Sequence, residues 1–115
     1  MTTTWIPPTR EQVNGMIGEM VRRLVTRFHP DKVILFGSHA RGDAEPDSDV
    51  DLLVVMPFSG RKLDRIVDLR LVLDEVPISK DVFLVTPEDY EADRDLVGTL
   101  AYSAAHEGKI LHEHS

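Results

Sequence analysis

No cysteine occurs in the 115 residues, and that absence removes disulfides, thiolate metal sites and a cysteine nucleophile together. It agrees with a reducing compartment, and a cytoplasmic location is the expectation. Long hydrophobic runs are missing as well. No stretch approaches the length that spans a bilayer, and the opening residues MTTTWIPPTR lack the apolar core of a signal peptide, so no membrane partner is expected. Positive charge is scarce. Lys and Arg number 13 against 20 Asp and Glu, for a formal net charge of -7. A surface of that sign repels phosphate polymers and disfavours bulk nucleic-acid binding.

What remains is ordinary in composition. A hydrophobic share of 42% with 29% charged residues belongs to a globular chain, neither disordered nor fibrous. The length allows one core and not two. Residues 1–115 are therefore read as a single domain, and any substrate surface beyond it must come from a partner or a second copy.

Pattern along the chain predicts helix, strand, strand, helix, strand, helix, with a short last strand. Thr9 and Gln12 have capping-box spacing, and apolar residues from Val13 to Phe28 recur every three or four positions, predicting a core-facing helix over about Arg10 to Phe28. Val33 to Phe36 is an apolar run of strand length, closed by Gly37. Gly, Asp, Pro and Ser crowd Arg41 to Ser48, which reads as a loop before a strand over Asp49 to Val55. A second helix is expected from about Arg61 to Leu73, with Leu63, Ile66, Val67 and Leu73 near one face. Asp81 to Val85 has the β-branched and aromatic character of a strand. Thr86, Pro87 and Asp89 mark a helix start, and apolar residues from Leu96 to Ala105 repeat helically before Gly108 and a short Ile110 to Leu111 strand.

Chemistry concentrates between Gly37 and Asp51. Gly37 directly after a buried strand permits a sharp turn, small Ser38 opens the next helical turn, and free backbone amides there can face an anion. Terminal phosphates of a nucleotide suit such a turn, with the Ser38 hydroxyl as a further donor and Arg41 as a charged fork. Asp49 and Asp51, one residue apart on a strand, point to the same side roughly 7 Å apart. Two carboxylates opening an apolar strand repel each other unless a cation lies between them. Their hard oxygens suit magnesium, and two ions about 4 Å apart can clamp the attacking and leaving oxygens of a phosphoryl transfer. Asp81, which also opens an apolar strand, is the candidate third carboxylate, holding the ion that activates an acceptor hydroxyl or taking its proton. The plainer reading of Asp81 is a solvated strand end.

Competing motifs fail on identity. A Walker loop spaced from Gly37 and Gly42 would need lysine where Asp43 stands. An EF-hand starting at Asp47 would need Gly at Leu52 and Glu at Phe58. His106, His112 and His114 are a transition-metal candidate set against the simpler reading of a solvated tail. Arg61, Lys62 and Arg65 could reach a nucleotide, against the simpler reading of a solvated helix face.

With those residues in view, GSHARG followed by DSDVDLLVV resembles the signature of the polymerase-beta-like nucleotidyltransferase superfamily, most closely its minimal, MntA-type members. The resemblance implies an α/β (α+β) fold, a small mixed sheet flanked by helices, and magnesium-dependent transfer of AMP from ATP with release of pyrophosphate. Carried over by position, Gly37 and Ser38 match the triphosphate-binding turn, Arg41 a phosphate-proximal arginine, Asp49 and Asp51 the two-metal ligands, and Asp81 the third carboxylate. Minimal members also resemble antitoxins that place AMP on a tyrosine of a small helical HEPN-type ribonuclease partner. Two alternatives stay open: a non-catalytic antitoxin that occludes its partner, and an enzyme modifying a small hydroxyl compound such as an aminoglycoside.

Overall fold

The computed structural model describes residues 6–45 and 47–114; most of the polar start of the chain and one position of the Arg41 to Ser48 loop lie outside them. Helix α1 (Arg10–Phe28) begins where expected, because both halves of the capping box form: the Gln12 amide donates to Thr9 Oγ1 at 3.1 Å and the Thr9 amide to Gln12 Oε1 at 2.8 Å. Two otherwise orphaned donors at the helix start are thereby satisfied. His29 ends the helix in the left-handed region at φ 50, and its amide donates to Val25 O at 3.0 Å. Val13, Ile17, Met20 and Leu24 form the buried stripe.

Strands β1 (Lys32–Phe36), β2 (Val50–Val55), β3 (Lys80–Val85) and β4 (Lys109–Glu113) make one mixed sheet in the order β3-β2-β1-β4. β1 runs antiparallel to both β2 and β4, whereas β2 and β3 run parallel. Between them lie a one-turn helix α2 (Ser38–Arg41), then α3 (Lys62–Leu73), α4 (Pro87–Asp93) and α5 (Leu100–Glu107). Helices cover both faces. Val33, Leu35, Val50, Leu52 and Val54 pack with α1 and α3, while Ile34, Phe36, Leu53 and Val55 pack with Tyr90 of α4 and Ala101 and Ala104 of α5. β2 is consequently buried on both sides, which is why its sequence is a continuous apolar run and not an alternation.

Boundaries shift from expectation in physically readable ways. β2 begins at Val50, because Asp49 turns out of the ladder, and the last strand extends to Lys109–Glu113. The final helical stretch is two helices, since Gly98 at φ 95 permits a turn and Thr99 caps α5 by accepting from the Tyr102 amide at 3.1 Å. Leu96 and Val97 therefore sit on the exposed connection and not on a core face. On α3 the core takes Leu69 and Leu73, with Ile66 half-buried, whereas Leu63 and Val67 point outward, 63% and 47% exposed. His112 belongs to β4 and not to a loose tail, and the His114 amide donates to Asp31 O at 2.8 Å.

Candidate functional site

All six residues singled out by sequence, Gly37, Ser38, Arg41, Asp49, Asp51 and Asp81, fall at one end of the sheet, where β1 stops and β2 and β3 start. Register places them. Phe36 pairs with Asp51, and Asp51 with Asp81, so Asp51 and Asp81 stand side by side on neighbouring strands about 4.8 Å apart. Paired residues point to the same face, and here it is the one that α4 and α5 cover. Phe36 shares the row of the two carboxylates, and the next rows along that face are Ile34, Leu53 and Phe83, then Lys32, Val55 and Val85. The acidic end is thus where the apolar packing runs out. Phe36 and Phe83, 5.5 Å between ring centroids, close the hydrophobic layer beneath it.

Gly37 is built against Asp51. Its backbone, at φ 76 and ψ -156, lies in a region essentially reserved for glycine, and a Cβ there would run into the Asp51 carboxylate, whose Cγ would be only 3.2 Å away. The turn glycine and the metal-ligand candidate therefore occupy one continuous surface. Beyond it, the Ala40 and Arg41 amides both reach Gly37 O at 3.1 Å, which leaves the first amides of α2, on Ser38 and His39, without an intrahelical acceptor. Those donors belong to the two residues that directly follow Gly37, whose Cβ position lies against Asp51, and anions seek such donors.

Electrostatics separate Asp51 from an ordinary surface carboxylate. Burial, then the Asp81 charge, then the Asp49 charge raise its pKa, against a smaller lowering by His39 and Arg41. The ionised form is disfavoured in this position, and a cation would relieve the repulsion. Asp49, exposed at the strand entry, accepts a hydrogen bond from the Ser79 hydroxyl, while the Val50 amide donates to Ser79 O at 2.9 Å. Ser79 thus ties the entry of β2 to the entry of β3. Sequence reading passed over it, although Ser79 stands two positions before Asp81 as Asp49 stands two positions before Asp51. His39 also acts structurally, its Nε2 lying 3.0 Å from Ser48 O, which pins the loop onto α2. Arg41 lies at the exposed end of α2, 3.4 Å from Asp43.

As donors for a metal, these oxygens are of the right kind. Among the described residues, no group of three or more His, Cys, Asp or Glu is arranged to hold a metal ion by itself; that statement covers the His106, His112 and His114 set too. Magnesium commonly takes only one or two protein carboxylates and completes its octahedron with water and substrate phosphate. An Asp49, Asp51 and Asp81 ledge beside a phosphate-seeking turn fits that mode. A separate cavity of about 940 Å³ opens on the opposite side of the turn, lined by Arg10, Asn14, His39, Glu45 and Lys109 among others, and none of the three aspartates lines it. Lys62 and Arg65 lie on α3 and Arg61 at its N-cap, and this helix packs on the face away from the carboxylates; Arg65 there pairs with Asp68 at 3.1 Å.

Comparison with known proteins agrees with this geometry. A Methanocaldococcus jannaschii protein named as a candidate protein adenylyltransferase is 37% identical over 86 residues, covering 69% of this chain and 58% of its own length. Protein adenylyltransferase MntA of Thermococcus cleftensis is 39% identical over 46 residues, covering 40% of this chain and 46% of its own. The chain thus spans about half the length of these curated relatives. In fold it is similar to the crystal structure of a candidate nucleotidyltransferase from Sulfolobus solfataricus, with a TM-score of 0.57 at 21% identity over 95% of this chain and 93% of that one. A match to the nucleotidyltransferase domain runs across residues 17–104, taking in the glycine turn and all three aspartates, and the chain belongs to that family.

Proposed function

We propose that this chain is a single-domain, magnesium-dependent adenylyltransferase that moves AMP from ATP to a hydroxyl of a protein partner. The observation that carries the reading is the pairing of Asp51 with Asp81 directly against the glycine turn. Like charges gathered where apolar packing ends, beside free amides, suit a triphosphate and its cations better than any structural purpose.

Gly37, Ser38 and the free amides of α2 would grip the terminal phosphates, and Arg41 would swing from Asp43 to add charge. Asp49 and Asp51 would hold magnesium, with Ser79 orienting Asp49. Bound there, the cation supplies Lewis-acid stabilisation of the charge that develops on the phosphates. Asp81 would take the acceptor's hydroxyl proton. The acceptor oxygen then bonds to the α-phosphorus as the bond from that phosphorus to the bridging oxygen breaks, and pyrophosphate departs in line.

The partner is proposed to be a small helical protein of the HEPN class, modified on tyrosine, in a toxin–antitoxin pair inside the cytoplasm. Support comes from the relatives named protein adenylyltransferase and from the site being an open ledge, with Asp49 exposed at its entry. An acceptor must supply the opposite wall. Incubating the chain with α-labelled ATP, magnesium and the product of the adjacent gene should label that protein, and Asp49→Asn or Asp51→Asn should lower labelling about a thousandfold, the equivalent of ~4 kcal/mol of lost charge stabilisation. Equal labelling by wild type and both variants would overturn the assignment. Neutralisation that persists in the double variant would favour occlusion instead.

A further inference from the structure

Asp49 and Asp51 are brought to the site by different means. Asp51 is fixed by the sheet, since it pairs with Phe36 on one side and Asp81 on the other. Asp49 has no such register. It precedes Val50, the first residue of β2, so its place relative to the glycine turn depends on the segment from Gly42 to Ser48 and on what ties that segment down.

The segment is held in two separate pieces. Its start hangs from α2, where the Gly42 and Asp43 amides both donate to Ser38 O, at 3.0 and 3.2 Å. Its end closes on itself: the Ser48 amide donates to Glu45 O at 3.0 Å and the Glu45 amide to Ser48 Oγ at 2.8 Å. Neither set of bonds joins one piece to the other. The joint is His39, whose Nε2 donates to Ser48 O at 3.0 Å. A carbonyl only accepts, so the ring must carry a proton on Nε2, in its neutral form as in its charged one. Among the described residues no other side-chain hydrogen bond links α2 to the stretch from Ser48 to Val50. From the far side, the Ser79 hydroxyl donates to Asp49 and Ser79 O accepts from the Val50 amide, which relates Asp49 to β3 and not to the turn.

We infer that His39 is a positioning residue: by holding Ser48 O it sets Asp49 at a fixed distance from the glycine turn, so that a metal ion and a triphosphate bind as one unit. The inference rests on the reading of ledge and turn as a metal–triphosphate site, and it gives His39 no contact with substrate and no proton to move. Supporting residues of this kind tune metal affinity or activity by about 10–100-fold. Coupling separates this role from a contact that merely holds the fold. With turn and carboxylate at fixed spacing, magnesium strengthens nucleotide binding, and the nucleotide strengthens magnesium binding by the same factor.

That factor is measured by calorimetric titration of a non-hydrolysable ATP analogue into the chain, once with excess magnesium and once with EDTA. Wild type should bind the analogue more tightly with magnesium. His39→Gln carries its amide nitrogen as many bonds from Cβ as Nε2 stands, and should keep most of the factor. His39→Asn is one bond short and His39→Phe has no donor, so each should lose about tenfold of it, with metal-free binding unchanged because the turn is untouched. If His39→Phe fails to fold, the two amide variants carry the test, with matched Tm values showing that both are folded. A factor in His39→Asn equal to that of wild type, a loss in His39→Gln as large as in His39→Asn, or a loss equal with and without magnesium would overturn the inference and leave the metal–triphosphate reading standing. A wild type that binds the analogue equally with and without magnesium would overturn both.

Discussion

Asp51 is held in an environment that its charge opposes. Burial and the neighbouring Asp81 and Asp49 raise its pKa above the ordinary 3.8, so the ionised carboxylate destabilises the fold. The sign follows from linkage: a carboxyl whose folded pKa exceeds its unfolded one binds protons more readily when folded, so its penalty is absent below about 3.8, grows as pH rises above that, and is full once pH passes the raised value. Asp51→Asn, measured without divalent metal at pH 7, should therefore raise Tm by roughly 3–5 °C, and the gain should vanish in acid. Gly37→Ala should act in the opposite direction. Its backbone region is nearly closed to other residues and its Cβ would strike the Asp51 carboxylate, so chemical denaturation should show a loss of about 2–4 kcal/mol. Ser79→Ala removes the hydroxyl that fixes Asp49. If that bond orients a metal ligand, the variant should need more magnesium for half-maximal labelling while its Tm changes little, and Ser79→Thr should recover most of the metal affinity.

At the scale of elements, legibility followed burial geometry. α1 could be read in full because cap, stripe and stop each leave a residue signature: Thr9 with Gln12, the spaced Val13, Ile17, Met20 and Leu24, and the His29-Pro30 break. The acidic ledge was legible for a similar reason, since polar residues at the start of the apolar runs of β2 and β3 have few structural purposes. What could not be read was pairing. Nothing local says that β2 and β3 run parallel and in the register that sets Asp51 on Asp81, because register is decided by how the helices pack over both faces. α3 was misread where it carries apolar residues on two sides, so periodicity alone could not tell Leu69 and Leu73, which are buried, from Leu63 and Val67, which are not. Ser79 escaped because its partner Asp49 lies 30 positions away in sequence. Gly108 shows the same long-range logic. It ends α5 against β1, and a Cβ there would lie 2.8 Å from both Ile34 Cγ2 and Leu35 O. Gly108→Ala should cost about 1–3 kcal/mol by overpacking, visible as a lower denaturation midpoint with an unchanged slope.

For the whole molecule, the charge balance of -7 and the acidic ledge predict two separable responses to ions. General self-repulsion is screened by any salt, because exposed charges farther apart than about 10 Å hardly interact at 0.1 M ionic strength. A cation taken up by Asp49 and Asp51 would be a different matter, since binding to the folded state alone stabilises by mass action, about 1.4 kcal/mol at ten times the dissociation constant. Thermal unfolding in MgCl₂ and in KCl at matched ionic strength distinguishes them. Magnesium should raise Tm beyond potassium in the wild type, and adding a non-hydrolysable ATP analogue should raise it further, because phosphate oxygens complete the coordination that the carboxylates leave open. In Asp51→Asn the magnesium excess should disappear although that variant is the more stable protein without metal. Stability and metal response would then move in opposite directions on one substitution, which simple loss of packing cannot produce. If magnesium and potassium act alike on the wild type with the ATP analogue present, the ledge does not hold a cation and the triphosphate chemistry assigned to it fails.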